Sequence, residues 1–68
     1  MTDTLRLKEL IAKRGIKLSW VAGYLGLSRN GLFLKMSNAS EFKASEIAKL
    51  QQLLRLTDAE TGQIFFNL

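Results

Sequence analysis

Three residue types are missing from this chain of 68 residues, which contains no cysteine, no histidine and no proline. Without cysteine the chain has no disulfide, no thiolate ligand for a metal and no thiol nucleophile. Without histidine, a metal site or a general base has only the six acidic residues to draw on, and these are scattered along the sequence. Most hydrolase, metalloenzyme and redox chemistries are thereby excluded, and we expect no enzymatic activity, no cofactor and no bound metal.

Long apolar runs are also missing. The longest uncharged run, residues 18–28, is too short and too polar to cross a bilayer. The start of the chain includes Asp3 and lacks the apolar segment of a signal peptide. We therefore expect a cytoplasmic protein with no membrane partner, folded as one small domain over residues 1–68. A domain of this size has a small core, so self-association or a regular helical core is expected to stabilise it.

The charge of the chain is unevenly distributed. Residues 1–35 hold seven basic and two acidic residues, a net charge of +5, whereas residues 36–68 hold three basic and four acidic residues, a net charge of −1. A basic half of this kind favours an anionic partner, with nucleic acid first. The alternative is that the positive charge belongs to an ordinary solvated face.

The pattern of apolar residues predicts helices throughout. Apolar side chains recur at spacings of three and four, Gly15 and Gly26 are natural helix stops, and Ser28 is a good N-cap. Thr57 with Glu60 forms a capping box at the start of a last helix. The predicted helices cover about residues 4–14, 17–25, 28–37 and 44–54, and a fifth begins at residue 57. The sequence therefore predicts an all-α, compact five-helix domain.

The stretch "VAGYLGLSRNGL" has the residues that a helix-turn-helix requires. Ala22 is small where two helices must cross closely, and Gly26 accepts the left-handed conformation of the turn. Leu27 is placed to fill the core, Ser28 to cap the second helix, and Leu32 to pack on the first helix. The alternative is an ordinary antiparallel pair of helices.

This stretch resembles the motif of the phage repressor and Cro-like helix-turn-helix family, often called the Xre family. The similarity extends over nearly the whole chain: "LKELIAKRGIK" is similar to the family's first helix and turn, and "EFKASEIAKLQQLLRLTDAE" to its fourth helix and the entry to its fifth. The "KMSNAS–EF" turn, "SEI" and the terminal "IFF" resemble small phage-associated members.

That resemblance implies a fold and a function. The implied fold is a five-helix bundle of the lambda-repressor-like type, in which helices 2 and 3 form the helix-turn-helix. The implied function is sequence-specific binding of operator DNA by a transcriptional regulator, usually as a dimer, with the third helix in the major groove.

The resemblance also assigns roles to individual residues. Arg29 and Asn30 occupy the first exposed turn of the recognition helix, and these residue types read guanine and adenine respectively. Phe33 and Leu34 lie one turn further along the same face, where a phenylalanine can touch a thymine methyl. The candidate phosphate contacts are Lys17, Ser28, Lys35 and Lys43. The alternative for each of these residues is an ordinary place on the solvated surface.

Several positions depart from the family pattern. Leu18 stands where many members have a glutamine that contacts a phosphate and braces the recognition helix, and Trp20 stands where a charged surface residue is usual. Lys35 falls on a core position of the pattern, and we expect Met36 to take over that place. Asn38 replaces a preferred glycine and is expected in the left-handed conformation.

The apolar residues outside the expected core predict contact surfaces. Leu18, Trp20, Phe33 and Leu34 would form a large apolar patch if they were exposed together. An antirepressor-like, protein-binding module on the same helical scaffold is therefore the alternative function.

Two phenylalanines near the end of the chain cannot both face one core. Phe65 and Phe66 are adjacent on the fifth helix, so we expect one to pack on the bundle. The other, with Leu68, is a candidate dimer seam, so Phe65, Phe66 and Leu68 are all candidates for it. The alternative is that both rings are partly buried in the core.

Overall fold

The computed structural model describes all 68 residues and contains five α-helices and no strand. The helices are α1 (Thr4–Lys13), α2 (Leu18–Leu25), α3 (Arg29–Met36), α4 (Ala44–Leu54) and α5 (Asp58–Phe65). The prediction of an all-α, five-helix domain is confirmed. None of the helices has the length and apolar character needed to cross a membrane.

Side chains of the N-cap residues close the starts of three helices, and the Glu46 side chain closes the start of α4. The Asp3 carboxylate accepts a hydrogen bond from the backbone N–H of Arg6, at 3.2 Å, and caps α1. At α5 the predicted capping box is present. Glu60 donates its backbone N–H to the Thr57 hydroxyl at 3.0 Å, and Thr57 donates its own N–H to the Glu60 carboxylate at 2.9 Å. Because the first N–H groups of a helix have no partner inside it, these bonds fix where the helices begin. Ser28 provides the third cap, at α3.

Residues in the left-handed conformation mark the ends of several helices. Gly15 and Gly26 follow α1 and α2 with φ of +69° and +73°. Asn38, in the turn after α3, has φ of +62°, as its position in the sequence predicted. Arg55 ends α4 with φ of +53°, a conformation that no local feature of the sequence indicated.

The core contains 14 buried apolar side chains, and all five helices contribute to it. Two of these side chains, Phe42 and Leu56, lie in the turns on either side of α4. The Phe42 ring meets the Phe65 ring edge to face, with 5.6 Å between centroids. This aromatic pair fastens α5 to the segment between α3 and α4.

Polar bonds connect the start of the chain to the turn after α3 and to α5. The Asn38 amide accepts from the Thr2 N–H at 3.0 Å and donates to the Thr2 carbonyl at 3.1 Å. The N–H of Asp3 donates to the carbonyl of Ile64 at 2.7 Å. These bonds hold the C-terminal end of α3 in a fixed place relative to α1.

A buried ion pair joins α3 to α4. The ammonium of Lys35 lies 2.5 Å from a carboxylate oxygen of Glu46, and the two side chains are only 8% and 7% exposed. The same Glu46 oxygen accepts the backbone N–H of Lys43 at 2.8 Å, which closes the start of α4. Lys35 and Met36 are both buried, so Met36 joins Lys35 inside rather than replacing it as the sequence had led us to expect.

Candidate interface on the third helix

The turn between α2 and α3 determines how α3 is presented. Gly26, in the left-handed conformation, donates its N–H towards Ala22 and Gly23, and the N–H of Leu27 donates to the Ala22 carbonyl at 2.8 Å. Leu27 then packs against the core. The hydroxyl of Ser28 accepts the N–H of Gly31 at 3.0 Å and starts α3. The chain therefore reverses tightly and leaves the first turn of α3 in solvent.

The outer face of α3 carries the four residues that the sequence selected as base contacts. Arg29 and Asn30 are exposed in its first turn. Phe33 is 66% exposed and Leu34 is 39% exposed one turn later. Arg29 takes part in neither of the two ion pairs of the structure. Because helical residues three and four apart are neighbours, the four side chains form one continuous surface.

A groove of about 370 Å³ runs between α3 and the adjoining parts of α1 and α2. Its apolar lining is formed by Leu18, Leu32, Phe33 and Met36. Two cations, Lys8 and Arg29, and the hydroxyls of Ser19 and Ser37 complete the lining, and no carboxylate belongs to it. The groove therefore combines an apolar floor with positive charge, a combination that suits an anionic partner with an apolar group.

Lys8, Ser19 and Ser37 line the groove although the sequence did not indicate them as site residues, and Lys8 is the charged one among them. It follows the fully buried Leu7 on α1, so it leaves the helix beside the core and next to the groove. A basic residue adjacent to a core position of the first helix was the available signal. That signal was too weak to distinguish Lys8 from the other lysines of the basic half.

The predicted phosphate contacts differ in their surroundings. Lys17, Ser28 and Lys43 are exposed. Lys17 lies just before α2, in a shallow depression that it shares with Trp20, and Lys43 is the N-cap residue of α4. The prediction for Lys35 is wrong, because its ammonium is buried and bonded to Glu46. A cation in that position has no free surface from which to reach a phosphate.

The pKa of Glu46 reflects the groups that surround this carboxyl in the ion pair. Burial disfavours the charged form of this carboxyl, but hydrogen bonds from the Lys35 ammonium and the Lys43 backbone and the positive charges of both lysines outweigh burial. The net effect is that the pKa of Glu46 is lowered from its ordinary value. Glu46 is therefore ionised at neutral pH and neutralises Lys35 within the protein.

Trp20 does not belong to the groove. Its ring is more than half exposed and stacks on Tyr24, with 5.2 Å between centroids and 14° between ring planes. The Lys49 ammonium lies 5.8 Å from the Tyr24 ring. The four apolar residues expected to form one patch are therefore divided, because Leu18 and Phe33 line the groove while Trp20 forms a separate aromatic cluster.

The two phenylalanines at the end of α5 have opposite environments. Phe65 is buried against Phe42, whereas Phe66 is 55% exposed. Leu68 is also exposed and passes over Gly62, where it approaches within 3.1 Å of the place that a Cβ atom would take. Phe65 is therefore unavailable for a dimer seam, and only Phe66 and Leu68 remain as candidates.

Comparison with known proteins gives no independent assignment, because no protein-family model, no curated protein and no solved structure matches this chain. The acidic side chains form no group of three or more that could hold a metal ion. The surface with the most distinctive chemistry is the outer face of α3 together with the adjoining groove, where two free cations, an amide and exposed apolar groups meet.

Proposed function

We propose that this chain is a sequence-specific DNA-binding transcriptional regulator of the phage repressor and Cro type, acting in the bacterial cytoplasm. In this proposal α2 and α3 form a helix-turn-helix and α3 enters the major groove. The observation that carries it is the first turn of α3, which exposes Arg29 and Asn30 immediately after a tight, capped turn.

The chemistry of that turn suits the edges of base pairs. The major groove of B-DNA is about 12 Å wide and admits an α-helix. An arginine makes two hydrogen bonds to guanine, and an asparagine makes two to adenine. Both side chains leave α3 near its N-terminus, where backbone N–H groups and the helix dipole also favour a phosphate. Ser28 lies at the same end.

Exposed cations around α3 provide the phosphate contacts in this proposal. Lys17 and Lys43 remain candidates, and Lys8 joins them because it lines the groove beside Arg29. Lys35 is excluded by its bond to Glu46. Each phosphate contact releases counterions, so the logarithm of the binding constant should fall linearly with the logarithm of the salt concentration, by roughly 0.9 per contact.

The test is selection from a pool of duplexes with a randomised segment, carried out at two salt concentrations. We expect one enriched sequence, weaker binding at the higher salt, and a complex whose mass gives the number of protein chains. Selection that enriches no sequence at low salt would contradict the proposal.

A second candidate function, an antirepressor-like protein-binding module, is favoured by the apolar lining of the groove and the exposure of Phe33 and Leu34. It predicts a protein complex that is insensitive to salt and abolished by Phe33→Asp or Leu34→Asp. A complex that survives both substitutions rules out this use of the surface.

Dimer formation through Phe66 and Leu68 is part of the DNA-binding proposal. Both are exposed apolar side chains at the C-terminal end of α5. Sedimentation of the wild type and of Phe66→Ser, with and without the selected duplex, tests it. Dimers that persist unchanged in the variant would place the seam elsewhere.

A further inference from the structure

We infer that the groove beside α3 is a binding site for a small anionic amphiphile, an alkyl chain that ends in a carboxylate, and that this ligand excludes DNA from α3. The exclusion rests on the DNA-binding function proposed above, whereas the binding site rests on the groove itself. Arg29 begins α3 and Ser37 follows its last residue, and both line the groove, which therefore extends along the whole helix. A helix of eight residues is about 12 Å long, a length that suits an alkyl chain of medium size.

The apolar lining of the groove has a buried and an exposed part. Leu32 and Met36 are core residues that also line the groove, whereas Leu18 and Phe33 are 41% and 66% exposed. An alkyl chain lying on these side chains removes apolar surface from water, and each methylene group that is fully buried strengthens binding about fourfold. The volume of about 370 Å³ falls within the range of small-molecule sites.

The charge of the groove selects an anionic head group. Lys8 and Arg29 are the charged residues of the lining, and neither belongs to an ion pair of the structure. Residues 10–40, which include α2 and α3, contain no acidic residue. A carboxylate accepts paired hydrogen bonds from an arginine, and such charge-assisted bonds are stronger than neutral ones. The site therefore provides for both ends of the ligand.

The size of the groove favours a small ligand over a protein segment. A stable protein interface involves about 20–30 residues on each side, whereas eight residues line this groove. A protein segment also brings backbone N–H and C=O groups that need partners when they are buried. The lining provides two uncharged polar side chains, those of Ser19 and Ser37, for this purpose. An alkyl carboxylate makes no such demand along its chain.

Occupation of the groove conflicts with DNA binding because the two surfaces share residues. Arg29 and Phe33 line the groove and also belong to the outer face of α3. A carboxylate bonded to Arg29 neutralises the cation that contacts guanine in the proposed complex, and the alkyl chain covers Phe33. The ligand and the duplex therefore compete for the free protein.

The two methionines of the chain give separate signals for the binding test. Met36 lines the groove, whereas Met1 lies in another depression, beside Phe42 and Phe66. The full chain with isotope-labelled methionine methyl groups is titrated with octanoate at neutral pH and followed by NMR. We expect the Met36 signal to shift until it saturates while the Met1 signal stays in place. Equal shifts of both signals would mean non-specific adsorption and would overturn the inference.

Two further compounds separate the contribution of the head group from that of the chain. Octanol has the same chain without the charge, and it should bind about tenfold more weakly because it lacks the charge-assisted hydrogen bonds. Acetate has the charge without the chain, and it should produce no saturable shift of Met36 in the same concentration range. Octanol that binds as tightly as octanoate would overturn the assignment of an anionic ligand.

Matched variants locate the site. Lys8→Gln and Arg29→Gln should each weaken octanoate binding several-fold, whereas Lys13→Gln, which removes an exposed cation outside the groove, should not. Phe33→Ser should also weaken it, whereas Phe66→Ser, which removes a comparably exposed ring outside the groove, should not. Unchanged affinity in both Lys8→Gln and Arg29→Gln would overturn the inference.

Competition with the duplex obtained by selection tests the exclusion of DNA. Fluorescence anisotropy should show the apparent Kd of the duplex rising about tenfold when octanoate is present at about ten times its own Kd. Sodium acetate at the same concentration controls for ionic strength. Equal effects of octanoate and acetate would overturn the exclusion. A selection that enriches no duplex is a separate result, which contradicts the DNA-binding function and leaves the NMR titration to decide the binding site.

Discussion

Each face of α3 contains an exception to the usual distribution of side chains in a small helical domain. The inner face buries Lys35 beside the core residues Leu32 and Met36. The outer face leaves Phe33 and Leu34 in solvent. A pattern of hydrophobicity alone would therefore misplace Lys35, Phe33 and Leu34, although it places Leu32 and Met36 correctly.

The difference between the faces lies in whether each group has a partner within the chain. The buried ammonium of Lys35 is bonded to Glu46, and no buried side-chain polar atom of the protein lacks a hydrogen bond. The exposed ring of Phe33 has no comparable cover, and Arg29 belongs to no ion pair. The buried polar groups of the inner face thus all have partners within the free protein, whereas the outer face has the composition of a binding surface.

The largest effect is expected from Glu46→Gln, which leaves the Lys35 ammonium buried without a counterion. Removing one partner of a buried ion pair costs about 3–5 kcal/mol, a large part of the stability of a small domain. Urea unfolding followed by circular dichroism measures the loss. The matched control is the double variant Lys35→Met/Glu46→Gln, which removes both charges while the introduced glutamine can still accept the backbone N–H of Lys43. It should recover most of the stability. A single variant within about 1 kcal/mol of the wild type would show that the inner face does not depend on this pair.

On the outer face, Arg29→Ala should weaken DNA binding by about 1–3 kcal/mol and relax specificity at one base pair. It should not lower the free energy of unfolding, because a cation in the first turn of a helix is opposed by the helix dipole. Fluorescence anisotropy with the selected duplex measures the binding. Lys13→Ala removes the same charge from an exposed position at the end of α1 and serves as the control. Equal losses in the two variants would mean that Arg29 acts only through net charge.

Low pH should reduce the stability that the Lys35–Glu46 pair contributes on the inner face, and it should leave the outer face unchanged. The pKa of Glu46 is lowered from its ordinary value of 4.5. The stability that it contributes is therefore present above pH 4.5 and is lost as the pH falls through the folded value. Hydrogen bonds with Thr57 also lower the pKa of Glu60. The stability that Glu60 contributes is therefore likewise lost as the pH falls. Unfolding midpoints from pH 7 to pH 3 should fall more steeply for the wild type than for Glu46→Gln. Parallel curves would contradict a role for the ion pair.

The smallest effect is expected from Phe33→Ser, which should change the free energy of unfolding by no more than about 0.5 kcal/mol. The side chain is 66% exposed, and serine and phenylalanine have similar helix propensities. Thermal and urea unfolding give the value. A loss above about 1 kcal/mol would mean that the groove is packed as part of the fold and that the two faces are less different than they look.

Local signals in the sequence were sufficient to predict the helices. Gly26, Ser28 and the Thr57–Glu60 box act within one turn of the residues they affect, and the structure has each of them as predicted. The left-handed Asn38 was predicted differently, from its place at a position where the resembling family prefers glycine. Caps and glycine stops need no knowledge of tertiary packing, so they are readable in a single sequence.

Features that depend on distant residues were not predictable in this way. Lys35 is buried because Glu46 meets it across the turn between α3 and α4, and no spacing rule links two residues eleven positions apart on different helices. The adjacent rings Phe65 and Phe66 were expected to point in different directions. Which of them enters the core depends on Phe42, whose position is fixed only in the folded chain. The division of Trp20 from Leu18 and Phe33 likewise required the packing of three helices.

The bond between Lys35 and Glu46 limits how the outer face of α3 can be exchanged for that of another protein. A graft that exchanges all of α3 for the corresponding helix of another protein removes Lys35 and leaves the Glu46 carboxylate stranded in the interior. The smallest exchangeable module is therefore either the set of outward positions 29, 30, 33 and 34 on the resident helix, or the whole segment of residues 29–46. Redesign of the outer face alone should be tolerated. A variant in which α3 alone is exchanged should be too unstable for its binding to be measured.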